Sequence, residues 1–217
     1  VKTNTEDIES PAFGHSVVTY NLTYDASNRV ISLVSAANSG NKFVYNYDLP
    51  NTIAVDLYND GVGGLPDVSY LVNDHIDSSF QYNDSGDSST TKFIYDAFGN
   101  YIKLYEYDYS IVTGSQLTNI TTYTYDANGN QFTAQGTNGE GEIYEYYTDL
   151  VYVHPLIGPP LIPAVKRNLI KTHSVTTNGV VEATATITYT FDSKDRMSTE
   201  KTVVDDGTVV IKTYTYF

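Results

Sequence analysis

Five copies of one short pattern, an aromatic residue followed by Asp and then turn-forming residues, punctuate this chain and limit what it can become. They are Tyr24-Asp25-Ala26-Ser27-Asn28-Arg29, Tyr47-Asp48-Leu49-Pro50-Asn51, Tyr95-Asp96-Ala97-Phe98-Gly99-Asn100, Tyr125-Asp126-Ala127-Asn128-Gly129-Asn130 and Phe191-Asp192-Ser193-Lys194-Asp195-Arg196. Each closes a run with the period-two alternation of a strand and opens onto residues that tolerate a left-handed backbone. Each therefore reads as a hairpin corner. The aspartates of these corners (Asp25, Asp48, Asp96, Asp126, Asp192) are placed to accept the N–H two residues on, as an Asx-turn. Gly or Asn at the fourth position, as at Gly99 and Gly129, supplies the left-handed residue, and Asp195 is a further turn residue of the last corner.

Between the corners the strand beat is almost unbroken. Val18, Tyr20, Leu22 and Tyr24 alternate with polar residues, as do Phe43, Tyr45 and Tyr47, then Ile53, Val55 and Leu57, and then Val68, Tyr70 and Val72. A polar loop is expected over 83–90. Further on, Ala185, Ile187, Tyr189 and Phe191 oppose Thr184, Thr186, Thr188 and Thr190, a pattern suited to a sheet with one wet face. Asn178-Gly179 signals a two-residue type I′ hairpin that sets Thr177 opposite Val180. Helical periodicity is lacking. The expected fold is all-β: a long antiparallel meander of about 12–15 strands curled into an open or closed barrel, because flat sheets of that width are rare. The alternative is two compact domains separated at the proline-rich segment.

The 217 residues divide into a polar, aperiodic tether over 1–14, read as the remnant of a processed leader's junction, and a single domain over 15–217. Within it, residues 150–171 break the rhythm: four of the seven prolines fall here, so an irregular loop is expected, with one helical turn from Ala164. Its Tyr152, His154, Leu156, Ile157, Leu161 and Ile162 are too apolar for an ordinary solvated loop. They form either a plug over the barrel mouth or a binding site.

Composition removes several functions. A formal charge of −14 and a pI near 4.4 argue against nucleic acid and anionic membrane surfaces. Cysteine is absent, which excludes disulfides, thiolate nucleophiles and thiolate metal sites. There is no Gly-x-Ser-x-Gly elbow. His15, His75, His154 and His173 are scattered, and only His75 has nearby acids, Asp74 and Asp77. A calcium loop at Asp126–Asn130 lacks the bidentate acid, since Thr137 stands there. Glu140 and Glu142 share a strand face, opposite to Glu145, and are the one carboxylate pair that adjacency could make cooperative. No catalytic residue, cofactor or metal is called for.

The form Tyr-x-Tyr-Asp-x-x-Gly-Asn at Tyr123–Asn130, with related forms at Phe93–Asn100 and Phe191–Arg196, resembles the tyrosine-aspartate (YD or RHS) repeat of secreted bacterial surface proteins. With Val68–Asn73 and Asn168–Lys171, the layout from Val17 to Phe217 resembles secreted lipoproteins of gut Bacteroidetes with a porin-like β fold. The resemblance implies export, a periplasmic or cell-surface place, attachment to the outer membrane only through a lipid anchor, and no reaction. The irregular spacing of the motifs argues against a large toxin-enclosing shell. Because the outward face reads as Thr, Ser and Asn, and Thr215 stands two before Phe217, the barrel is expected to be soluble rather than membrane-spanning. The expected function is a monomeric, non-catalytic exported binding protein for a glycan, lipid or other apolar molecule, or surface polymer. A structural or adhesive module is the alternative, and an enzyme with an unrecognised carboxylate site ranks last.

Overall fold

A computed structural model describes residues 3–10, 14–27, 29–73, 75–82, 87–152 and 167–216, which contain seventeen strands and no helix. These are β1 (Thr3–Ser10), β2 (Gly14–Tyr24), β3 (Val30–Ser35), β4 (Lys42–Asn46), β5 (Thr52–Asn59), β6 (Val62–Gly63), β7 (Asp67–Val72), β8 (His75–Tyr82) and β9 (Ser88–Tyr95). They continue as β10 (Tyr101–Ser110), β11 (Gly114–Tyr125), β12 (Gln131–Gly136), β13 (Glu140–Tyr152), β14 (Arg167–Thr177), β15 (Val180–Phe191), β16 (Met197–Val204) and β17 (Val209–Thr215). Apart from β6 and β7, consecutive strands pair antiparallel, and β1 pairs with both β2 and β17, so the meander closes. The two-residue β6 and β7 lie in line along the same edge of β5 and make one interrupted wall strand. The wall is thus a closed ring of sixteen.

Three expectations change. The polar opening is not a tether over Thr3–Ser10. It is the closing strand, held by backbone pairing on both edges although Ile8 is its one large apolar residue. The wall has more than 12–15 strands, partly for that reason, and Ser88–Thr90, expected in a loop, lengthen β9 by pairing with β8 and β10. Leu150–Tyr152 and Arg167–Lys171 are strand rather than irregular loop. Residues 153–166, with Ala164, lie outside the described residues.

Following the register once round the ring returns displaced by roughly 18 residues, which sets a strand tilt of about 38° and, for a circular section, a backbone diameter of about 31 Å. Side chains from opposite walls cannot fill such a space. In agreement, strand backbones come close only to those of their ring neighbours. The accessible surface is 12924 Å², against about 9,900 Å² for a compact protein of this mass. The apolar core is local: Leu169, Met197 and Tyr214 on β14, β16 and β17, packed by Tyr147, Leu150, Tyr189, Phe191 and Tyr216.

Register also sorts the faces. Leu22, Leu33, Phe43, Val55, Tyr123, Glu142, His173, Ile187 and Tyr214 turn inward. Outward hydroxyls pair across strands, as in Thr5 with Thr19 at 2.9 Å, Thr124 with Thr133 at 2.7 Å and Ser174 with Thr184 at 3.0 Å. The outer wall of β7–β10 is more apolar, with Tyr70 edge-on to Phe80 at 5.7 Å.

Candidate functional site

Because the chain runs up and down, every Tyr-Asp corner falls on one rim. The corners at Asp25, Asp96, Asp126 and Asp192 are built alike. In each, the Asp N–H donates to the carbonyl four residues on, at 2.8–2.9 Å. Its Oδ1 accepts the N–H groups two and four residues on, and its Oδ2 accepts the side chain of the latter: Arg29, Asn100, Asn130 or Arg196. Gly99 (φ 82), Gly129 (φ 78) and Asp195 (φ 56) occupy the left-handed position. The backbone N–H and guanidinium of Arg196 hold the Asp192 carboxyl down at about 2, and Asp25 is lowered by Arg29 in the same way. At Asp96 and Asp126 burial pushes upward, but the Asn100 and Asn130 bonds outweigh it and the net direction is down. Asp48 does not act as a corner acceptor. The residue two on is Pro50, which has no N–H, and the Asp48 N–H is itself taken by Asn46 Oδ1 at 2.8 Å.

The corner tyrosines staple one hairpin to the next. Tyr47, Tyr95, Tyr125 and Tyr216 donate their hydroxyls to the carbonyls of Val30, Ile76, Tyr101 and Met197, and Tyr146 does so to Gln131. These acceptors stand at the start of the preceding strand, just past a turn. Arg29 and Arg196 stack over Tyr47 and Tyr216 at 4.2 and 4.3 Å, reinforcing two of the staples. Asn130 and Asn168 exchange bonds of 3.1 and 3.0 Å across the intervening β13. This rim is structural and leaves the corner acids occupied.

Of the proline-segment residues, Tyr152 lies on β13 opposite Arg167. His154, Leu156, Ile157, Leu161 and Ile162 lie outside the described residues. The segment joins β13 to β14 on the corner rim, where other hairpins carry a short corner.

A different site emerges on the inner wall toward the opposite end. A cavity of about 470 Å³ is lined by Glu106, Asn119, Tyr123, Glu140, Glu142 and Thr177, on four strands. Glu140 and Glu142 do share a face, and Glu106 joins them from β10. Each carboxylate is met by a neutral donor: Glu106 by Asn119 Nδ2 at 2.7 Å, Glu140 by Asn138 Nδ2 at 2.9 Å and Glu142 by the Tyr144 hydroxyl at 2.5 Å. Burial, then the bond to Glu142, raises Tyr144 so that it stays a donor, and burial with the charges of Tyr101, Glu142 and Glu106 pushes Tyr123 up to about 12. His173 stacks flat on Tyr144 at 4.7 Å and 6°. Its buried Nε2 sits 3.4 Å from Glu142 Oε1 without a hydrogen bond. Sequence spacing can find the Glu140 and Glu142 pair, but neither Glu106 nor the Tyr144–His173 stack, which depend on strand register. Asn178 (φ 50) and Gly179 (φ 79) form the type I′ hairpin that sets Thr177 opposite Val180 and His173 opposite Ala185, while the β13–β14 register sets His173 opposite Tyr144. His75 sits at the corner rim, with Nδ1 2.8 Å from the Asn73 carbonyl. Among the described residues no three His, Asp or Glu side chains converge to hold a metal.

No protein-family model and no curated protein sequence matches this chain. Solved structures share its fold, among them two porin-like proteins. A porin-like protein from Bacteroides uniformis ATCC 8492 superposes with a TM-score of 0.70 at 13% identity, over 99% of this chain and 96% of that one. A porin-like protein from Bacteroides vulgatus ATCC 8482 gives 0.64 at 11% identity, over 100% and 99%. At these identities the likeness establishes the closed β-barrel over the full length. A TcdB2-TccC3 structure aligns with only 14% of its length at a TM-score of 0.30, too low to carry an argument.

Proposed function

We propose that this chain is an exported, non-catalytic barrel that receives a small hydrophilic ligand in its lumen, at the outer membrane or cell surface. The observation that carries this reading is the sixteen-strand closed wall, too wide to be filled by its own side chains, with a polar and aromatic cavity on its inner surface. Binding of a polyhydroxylated ligand such as a glycan fits this lining better than binding of an apolar molecule. A wall that does not insert in the bilayer, held there by a lipid, agrees with the outward hydroxyl pairs, since a spanning barrel needs a continuous apolar band. The test is calorimetry of the folded chain against a panel of neutral oligosaccharides, with Tyr123→Ala as the lumen variant. Saturable binding that weakens in the variant supports the reading, and no binding across the panel overturns it.

A second reading, adhesion through the outer wall, is favoured by the aromatic surface of β7–β10, where Tyr70 and Tyr82 are about half exposed. It predicts retention on an immobilised surface polymer that Tyr70→Ser with Tyr82→Ser abolishes while lumen variants do not.

A further inference from the structure

We propose that β1 is a placeholder, and that the groove between β2 and β17 docks an extended strand of a partner protein carrying β-branched apolar residues on its outward face. β1 occupies this groove by backbone pairing, over seven positions of β17 and eight of β2. Its outward side chains match the groove poorly. Asp7 stands between Ile211 of β17 and Val17 of β2, and Glu9 stands between Val209 and His15. On the same face β16 sets Val203 beside Val209. Two carboxylates therefore interrupt an aliphatic ledge at positions where β-branched residues would pair across strands. Val17 is left 52% exposed and Val203 38%. The large apolar residue of β1, Ile8, faces inward, opposite Val210 and Ser16.

Backbone hydrogen bonds are the same for any extended chain, so they hold β1 in the groove without selecting it. A strand that is polar on both faces specifies its pairing weakly and is open to replacement. An incoming strand recovers the backbone bonds that β1 gives up, and side chains decide the exchange. Valine in place of Asp7 buries its methyl groups against Ile211 and Val17, whereas a carboxylate there is better left in water. The bond that Asp7 makes with His15, at 2.7 Å, is solvent-exposed, so its loss costs little. Thr3 and Thr5 fit the groove as they are, with hydroxyls 2.5 Å from Thr215 and 2.9 Å from Thr19. The preferred occupant thus keeps threonine at these two positions and is apolar at those of Asp7 and Glu9.

The experiment is fluorescence anisotropy of labelled peptides with the full chain. The probe is the sequence Thr3–Ser10 with Asp7→Val and Glu9→Val. Two further peptides are the unaltered Thr3–Ser10 and the probe with Ile8→Pro, which lacks a backbone N–H. The probe binds, the unaltered peptide binds at least about tenfold more weakly, and the proline peptide does not bind. Cysteines in place of Thr5 and Thr213, which are opposed in register in a chain with no other cysteine, lock β1 in the groove. The locked chain does not take the probe until it is reduced. If the bridge does not form or the variant does not fold, Asp7→Val/Glu9→Val in the chain itself takes its place. That substitution fits β1 to its groove, so Tm rises and the probe binds at least about tenfold more weakly. The proposal is overturned if the probe does not bind wild type, or if the locked or self-fitted chain binds it like wild type. It is equally overturned if the proline peptide binds as well as the probe. Equal binding of the unaltered peptide also overturns it, because the groove would then exchange copies of β1 rather than select a partner.

Discussion

Replacing Asn130 by Ala tests whether the corners only turn the chain or also bind the wall together. Asn130 is 1% exposed, and its side chain makes three bonds: to Asp126 Oδ2 at 2.8 Å, to Asn168 Oδ1 at 3.1 Å and from the Asn168 N–H at 3.0 Å. At about 1 kcal/mol net for each bond, with some further cost for the orphaned Asn168 N–H, the loss is about 3–4 kcal/mol. An unfolding entropy of about 0.46 kcal/mol/K for a chain of this length converts this to a fall in Tm of about 7 °C. Asn128, two residues earlier and exposed, contributes only its backbone N–H to the corner, so Asn128→Ala moves Tm by about 1 °C or less. Asn130→Asp is the sharper variant. It turns an oxygen toward Asp126 Oδ2 and Asn168 Oδ1 and buries a second carboxylate, so its deficit is larger at neutral pH than near pH 4. The assay is thermal melting followed by circular dichroism. A fall below about 2 °C for Asn130→Ala would refute the reasoning, because the corner would then be independent of β14.

Three other outcomes are expected. Changing Tyr47, Tyr95, Tyr125 or Tyr216 to Phe removes one staple each and costs about 1 kcal/mol, a fall in Tm of about 2 °C, whereas Tyr105→Phe on the outward face changes nothing measurable. The corner aspartates have folded pKa values below the unfolded carboxylate value of about 4, so their stabilisation is complete above it and is lost as pH falls toward 2. Melting temperature should drop over that window, less so in Asp192→Asn, and a flat profile from pH 5 to 2.5 counts against the corner assignment. Replacing residues 153–166 with the Asp126–Asn130 corner should leave a folded β-protein, because Tyr152 and Arg167 are already paired. A chain that no longer folds shows the segment to be part of the wall, and a folded chain that loses ligand shows it to be part of the site.

Much of the wall is legible in the sequence because corners and alternation are local. Asn178-Gly179 fixes a turn, and Asp126 fixes its own hydrogen bonds within four residues. Closure is not local. Thr3–Ser10 carries almost no apolar signal and becomes a strand only because β2 and β17 present free edges on both sides. Strand β10 is hard to place for the opposite reason. Tyr105 and Tyr107 face outward while Leu104 faces inward, so aromatic and aliphatic residues mark both faces and the alternation is blurred. The inner cavity is half visible: period two puts Glu140 with Glu142, but Glu106 reaches them only through the register of three further strand pairs.

The inner face itself indicates where function can reside. Reading inward from the corner rim, the first position is aromatic in hairpin after hairpin: Tyr24, Tyr47, Tyr95, Tyr125, Phe191 and Tyr216. The second is Leu22, Tyr45, Phe93, Tyr123, Tyr189 and Tyr214, with Tyr144 in register on β13. The third has no common chemistry: Tyr20, Phe43, Thr91, Thr121, Ile187 and Lys212, with Glu142 on β13. Staples and corners join only adjacent hairpins, so the rim layers are constrained by the wall and the deeper layer is not. Lys212 and Glu142 occupy equivalent places with opposite charge. Glu200 neutralises the lysine from the next strand, while Glu142 faces Tyr144, a stacked imidazole and open space. The repeat therefore accounts for the barrel, and the departures from it in the deeper layer, Glu142 among them, are where the proposed lumen ligand would be distinguished.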